Sequence, residues 1–220
     1  MKNARRIILT LAVAAVAAVA ATAALGSGSN HSMSMGPHSA KTLTAADLRV
    51  TLDNLLGEHA VLAMNATDAG VSGAKSFPAV AAQLDKNSVA LSKAIGSLYG
   101  KKAGNTFLNG KYMWRDHIRF FVAYTVALAH HDKAGENKAV KNLGKYISTF
   151  GAFLAGATGL PKLEVEGDLD AHVAQLKEQL DAYAAGKFKK ANKLYDQAYN
   201  HMFMTGDLLA NAIAKQKGLS

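Results

Sequence analysis

The chain has 220 residues, no cysteine and a formal net charge of +9, with 19% of its residues charged. Without cysteine there is no disulfide and no thiol to carry a lipoprotein anchor, so stability must come from a buried core. The aromatic residues do not alternate with Lys and Arg as a base-stacking surface requires, which argues against nucleic acid as a partner. The basic balance reads as a solvated surface, with anionic cell-envelope polymers as the macromolecular partner it suits.

The N-terminus opens with Lys2, Arg5 and Arg6, then runs uncharged from Ile7 to Leu25. A basic start, an apolar stretch and small residues at Ala21 and Ala23 predict a secretory signal peptide over residues 1–25. The uncharged stretch is nineteen residues long and also approaches a spanning length, so an uncleaved membrane anchor is the alternative. Removal of the signal takes three positive charges with it and leaves +6, because no acidic residue precedes Asp47. Residues 26–43 follow as a linker rich in Gly, Ser, Met and His. Within it, His31, Met33, Met35 and His38 combine imidazoles with thioethers, a donor mixture suited to Cu(I). A polar linker of incidental composition is the competing reading.

Order is expected from residue 44 to 217. Thr44 followed by Asp47 predicts a helix start of the capping-box type. Apolar residues then recur at helical spacing, predicting helices at about 44–67, 78–99, 104–130, 135–156, 166–185 and 187–217. Gly, Pro and Asp mark the breaks: Gly70 and Gly73, Pro78, Gly100, Asp132 to Gly135, Gly159 to Pro161, and Gly186. No run of alternating β-branched residues suggests a strand. The fold class is all-α.

Three segments, "GEHAVLAMNATDAG", "RDHIRFFVAYTVALAHHD" and "DAHVAQLKEQLDAYAAG", each start with a histidine and run to a turn. A second amphipathic helix follows each. The histidines are separated by 58 and 55 residues, and each lies 33 residues before the middle of its partner helix. This spacing predicts three tandem αα-hairpins packed into one six-helix bundle.

The copied histidines are His59, His117 and His172. All three fall on apolar stripes, His59 with Leu48, Leu52, Leu55, Leu62 and Ala66; His201 does the same in the last helix. Equivalent positions in three packed hairpins can converge, and three imidazoles at one point would bind copper or zinc, with His201 as a fourth or nearby ligand. Burial favours the neutral ring, which is the form that ligates. Glu58 and Asp116 precede two of these histidines, and Asp170 lies two before the third, so carboxylates are at hand to orient the rings. The competing reading is packing: a buried His can donate to a carbonyl or carboxylate and fill space, and duplication would copy it. There is no Glu-x-x-His, His-Glu-x-x-His or Cys-x-x-Cys-His, so di-iron, metalloprotease and c-type haem signatures are lacking. A haem held by two histidines needs no fixed spacing and stays open.

Three further features read as structural. His130, His131 and Asp132 close a helix, where imidazoles complement the dipole. Lys187, Lys189, Lys190 and Lys193 cluster at a turn as a solvated face. Met202 and Met204 flank Phe203 as core filler. Neither a Gly-x-Ser-x-Gly elbow nor a phosphate loop is present, so an enzyme is not expected.

The segments "LLGEHAVLA", "WRDHIRFFVAYT", "HVAQLKEQLDAYAAG" and "YNHMFMTGDLLANAI" resemble a family of secreted helical proteins from bacteria. Members are sometimes labelled copper amine oxidase, through association with that enzyme's N-terminal domain. The likeness covers most of residues 44–215 and implies an exported α-helical domain linked to copper. The oxidase activity does not carry over, because that enzyme makes its quinone from a tyrosine in an Asn-Tyr-Asp/Glu context that this chain lacks.

Overall fold

The computed structural model describes residues 43–220; the expected signal, and the linker with His31, Met33, Met35 and His38, lie outside the described residues. Every regular element among the described residues is helical. There are six long helices, α1 (Ala45–Val71), α2 (Phe77–Tyr99), α4 (Trp114–Ala129), α5 (Lys133–Thr158), α6 (Lys162–Ala184) and α7 (Phe188–Lys217), with a nine-residue α3 (Lys101–Asn109) between the second and third of them.

Helix α1 starts where the capping pattern places it. The Thr44 hydroxyl accepts from the Asp47 N–H at 3.0 Å, and the Asp47 carboxylate accepts from the Thr44 N–H at 3.2 Å. Two orphan donors of the first turn are thereby satisfied. The same end is closed by Ser220, whose carbonyl accepts from the Ala45 N–H at 2.9 Å. Helix α5 ends at Gly159, which takes the left-handed conformation (φ 76°) open to glycine, and Pro161 then prevents the helix from resuming.

The helix expected over 104–130 is divided. It breaks between Gly110 and Met113, and Tyr112 takes a positive φ of 56° there. Helix α3 turns back against α2 at close range: the Ser92 hydroxyl donates to the Gly104 carbonyl at 2.9 Å, and a side chain at Gly104 would collide with the Ser92 carbonyl.

Helix α1 packs against α2, α4, α6 and α7, which makes it the centre of the bundle. Its buried face is Leu48, Leu52, Leu56, His59, Ala60, Ala63, Met64 and Thr67. The expected stripe was out of phase by one residue at two places: Leu55 and Leu62 are half-buried, while Leu56 and Ala63 are buried. Consecutive long helices α1 and α2, α4 and α5, and α6 and α7 pack as neighbours. Among the described residues no helix is long and apolar enough to cross a membrane.

Candidate functional site: a buried file of histidines

Helical phase carries His59 on α1, His117 on α4, His172 on α6 and His201 on α7 into the interior. They are 0%, 1%, 4% and 8% exposed, so all four rings have left water. They stand in file, His117 to His59 to His172 to His201, with successive centroids 5.4, 5.8 and 6.4 Å apart. The closest approach is between His59 and His117, whose Nε2 atoms are 3.5 Å apart.

Trp114 fixes this pair. Its indole lies 4.6 Å from the His59 ring and 4.8 Å from the His117 ring, centroid to centroid. The indole N–H donates to the Ser88 hydroxyl at 3.1 Å, and that hydroxyl donates to the Leu84 carbonyl. On the other side of His117, Tyr146 stacks at 4.6 Å. The two histidines so held leave no slot between them for a porphyrin.

The expected orienting carboxylates are engaged elsewhere. Glu58 is exposed on α1, and its carboxylate accepts from the Asn87 amide at 2.8 Å. Asp116 accepts from the Tyr112 N–H at 2.6 Å and pairs with Arg119. Asp170 is exposed. Adjacent residues on a helix point about 100° apart, which is why an acid next to a buried histidine turns away from it. The acid that does reach an imidazole is Asp168: His201 Nε2 lies 3.2 Å from its carbonyl and 3.4 Å from its carboxylate. Thr205 Oγ1 stands 3.0 Å from the same carboxylate. His201 is therefore tethered at the end of the file, in the way a packing histidine is.

The other three rings are not. Nδ1 of His59, of His117 and of His172 is buried without a well-formed hydrogen-bond partner. Burial without compensation holds all three neutral. His59 is pushed well below the usual histidine range by desolvation and then by His117. His172 is pushed the same way by desolvation and its two neighbours in the file. His117 falls to about 3, again chiefly by desolvation and then by His172, with the Trp114 backbone acting in the opposite direction.

Two holes adjoin the file. One of about 20 Å³, the size of a single water or ion, borders His59, His117, Thr67 and Thr125. The other, of about 110 Å³, begins at His172 and Trp114 and runs between α2, α3, α5 and α7 to half-buried Tyr99 and Ala157. Among the described residues no group of three or more His, Asp or Glu side chains is already placed to hold a metal ion together.

Of the remaining sequence expectations, Lys187, Lys189, Lys190 and Lys193 are exposed. His130 ends α4, and Asp132 caps α5 by accepting from the Gly135 N–H at 3.0 Å. Met202 is buried, whereas Met204 is 62% exposed and cannot serve the core.

Fold and site together define an all-α bundle with a file of neutral imidazoles through its core. Compared with known protein families, curated proteins and solved structures, the chain matches none.

Proposed function

We propose that this chain is an exported, non-enzymatic helical protein that binds a transition metal, copper before zinc, through His59, His117 and His172. The observation that carries the reading is the 3.5 Å between two neutral, buried Nε2 atoms. Two nitrogens bonded tetrahedrally at about 2.0–2.1 Å stand roughly 3.4 Å apart, so the pair needs little adjustment to share an ion. The 20 Å³ hole beside both rings gives that ion room. His172 joins as a third donor by turning its ring, and the larger cavity beside it supplies the space.

The chemistry of the surroundings favours Cu(I). A divalent ion buried among apolar groups without a carboxylate would carry a heavy desolvation cost, and a monovalent ion carries less. Neutral imidazoles suit copper as well as zinc. The hairpins α1/α2, α4/α5 and α6/α7 are the three proposed repeats, each placing one histidine on its first helix. Their similar spacing in sequence, 58 and 55 residues, and the packing of the two helices within each support this. The linker histidines and methionines would be a separate site of capture after export.

Packing alone is the second reading, favoured by the tether of His201 to Asp168. Metal analysis separates the two. Untagged protein recovered from an export compartment is compared with a variant carrying Ser at positions 31, 33, 35 and 38, and with that variant also carrying His117→Ala. The metal-site reading expects at least one copper per chain in the unaltered protein, about one in the Ser variant and a loss when His117→Ala is added to it. Copper retained in His117→Ala, or found in none of the three, would leave packing as the role of these rings.

A further inference from the structure

The 110 Å³ cavity, which His172 borders, is a second feature of the core, and what it holds is tested apart from the metal. Its wall is apolar, built from side chains such as Leu91, Phe107, Phe150 and Ile213, and its volume is about three-quarters of a roughly 150 Å³ engineered cavity that takes up benzene. Protein interiors are close-packed, and a hole of this size forfeits the contacts its lining would otherwise make. Asp168, Thr205 and His172 are among the polar residues that border the space. His172 is 4% exposed, and its Nδ1 has no partner. The Asp168 carboxylate is raised above the usual range, first by desolvation, with His201 and Thr205 acting against it. An apolar chamber with a few polar groups in its wall is the form that small-molecule sites take.

We propose that this cavity binds a small ring compound bearing one hydroxyl, of the phenol class, with its ring among Leu91, Phe107, Phe150 and Ile213 and its hydroxyl at Asp168 and His172. The carboxylate accepts a hydrogen bond from the hydroxyl, and the unpartnered imidazole nitrogen offers either a donor or an acceptor according to its tautomer. A simple packing void behaves differently. It takes benzene and rejects phenol, because the hydroxyl would lose its water without replacement.

The test uses the full chain in the presence of a chelator, so that failure of the metal reading leaves it unaffected. Benzene and phenol are each titrated while thermal unfolding is followed, since a ligand of the native state raises the midpoint. The expected result is that both stabilise and that phenol binds at least as tightly as benzene. Asp168→Leu should weaken phenol about tenfold and leave benzene nearly unchanged. Ala157→Phe, which places a ring in the cavity near its half-buried end, should abolish both. Should either variant fail to fold, a crystal of the unaltered protein soaked in phenol locates the oxygen directly. Binding of benzene but not phenol, binding of neither, or a phenol oxygen remote from Asp168 and His172 would overturn the proposal.

Discussion

His59 Nε2 faces His117 Nε2 at 3.5 Å, and neither ring is more than 1% exposed. In the metal-free protein the two satisfy each other only if their tautomers are opposed, one Nε2 carrying its proton and the other presenting a lone pair. Loss of either ring then leaves the other with a second unmet polar atom. His117→Leu should cost roughly 1–3 kcal/mol, and His59→Leu a similar amount. The double replacement should cost less than the two added together, by about 1 kcal/mol or more, because no orphan remains. Urea unfolding of the four proteins in chelator gives the cycle.

Acid should destabilise the metal-free protein earlier than carboxylate protonation alone would. His59, His117 and His172 have folded-state values below the ordinary 6.5. As pH falls through 6.5 the unfolded chain binds protons that the folded chain refuses, so stability is lost on acidification, continuing for His117 toward about 3. With three rings the slope reaches at most about 4 kcal/mol per pH unit. Unfolding midpoints at about pH 5 and about pH 7 measure it, and His172→Leu should lessen the difference.

Asp68 works in the opposite direction. It lies half-buried on α1, and desolvation raises its carboxyl from 3.8 to about 6, with the Gln179 amide partly offsetting this. A raised carboxylate value means that the folded state holds a proton the unfolded state has released. Stability from this group is therefore lost as pH rises from about 4 to about 6. Gln179 is 1% exposed; its Nε2 reaches both Asp68 oxygens at 3.1 Å, while its Oε1 has no partner. Asp68→Asn supplies a donor to that oxygen and removes the charge. It should stabilise the protein at neutral pH by about 1 kcal/mol, after allowance for solvent screening, and steepen the acid loss described above.

Trp114 is the chain's one tryptophan and touches both rings of the pair. Copper taken up between His59 and His117 should quench its fluorescence in proportion to the metal bound. Quenching that persists in His59→Leu would place the copper elsewhere. Trp114→Phe forfeits the hydrogen bond to Ser88 and indole packing, at an expected cost of roughly 1–3 kcal/mol by urea unfolding.

What could be read from the sequence was what depends on local chemistry. The Thr44–Asp47 cap, the stop at Gly159 to Pro161 and the inward face of each helix follow from residues within a turn or two of one another. All four core histidines were placed inside for that reason. The break between α3 and α4 was missed because "GKYM" carries one glycine and no proline, and the close approach of Gly104 to Ser92 that makes the turn worthwhile is a contact between helices. Asp168 was missed for a similar cause. It lies four residues before His172, on the same helix, yet it serves His201 on α7, and only the register of α6 against α7 sets that pairing. How closely these rings approach one another was not legible, because helical phase fixes which rings point inward, whereas the axial stagger of the helices decides where along the core they meet. Cavities are further from sequence still, since they arise from how side chains fail to fill space.

The most direct measurement is X-ray absorption at the copper edge on the variant with Ser at positions 31, 33, 35 and 38, loaded under reducing conditions. Imidazole scattering from two or three nitrogens at about 2 Å, lost in His117→Ala, is the result expected for copper held between His59 and His117. A spectrum without imidazole scattering, or one that His117→Ala leaves unchanged, would contradict it.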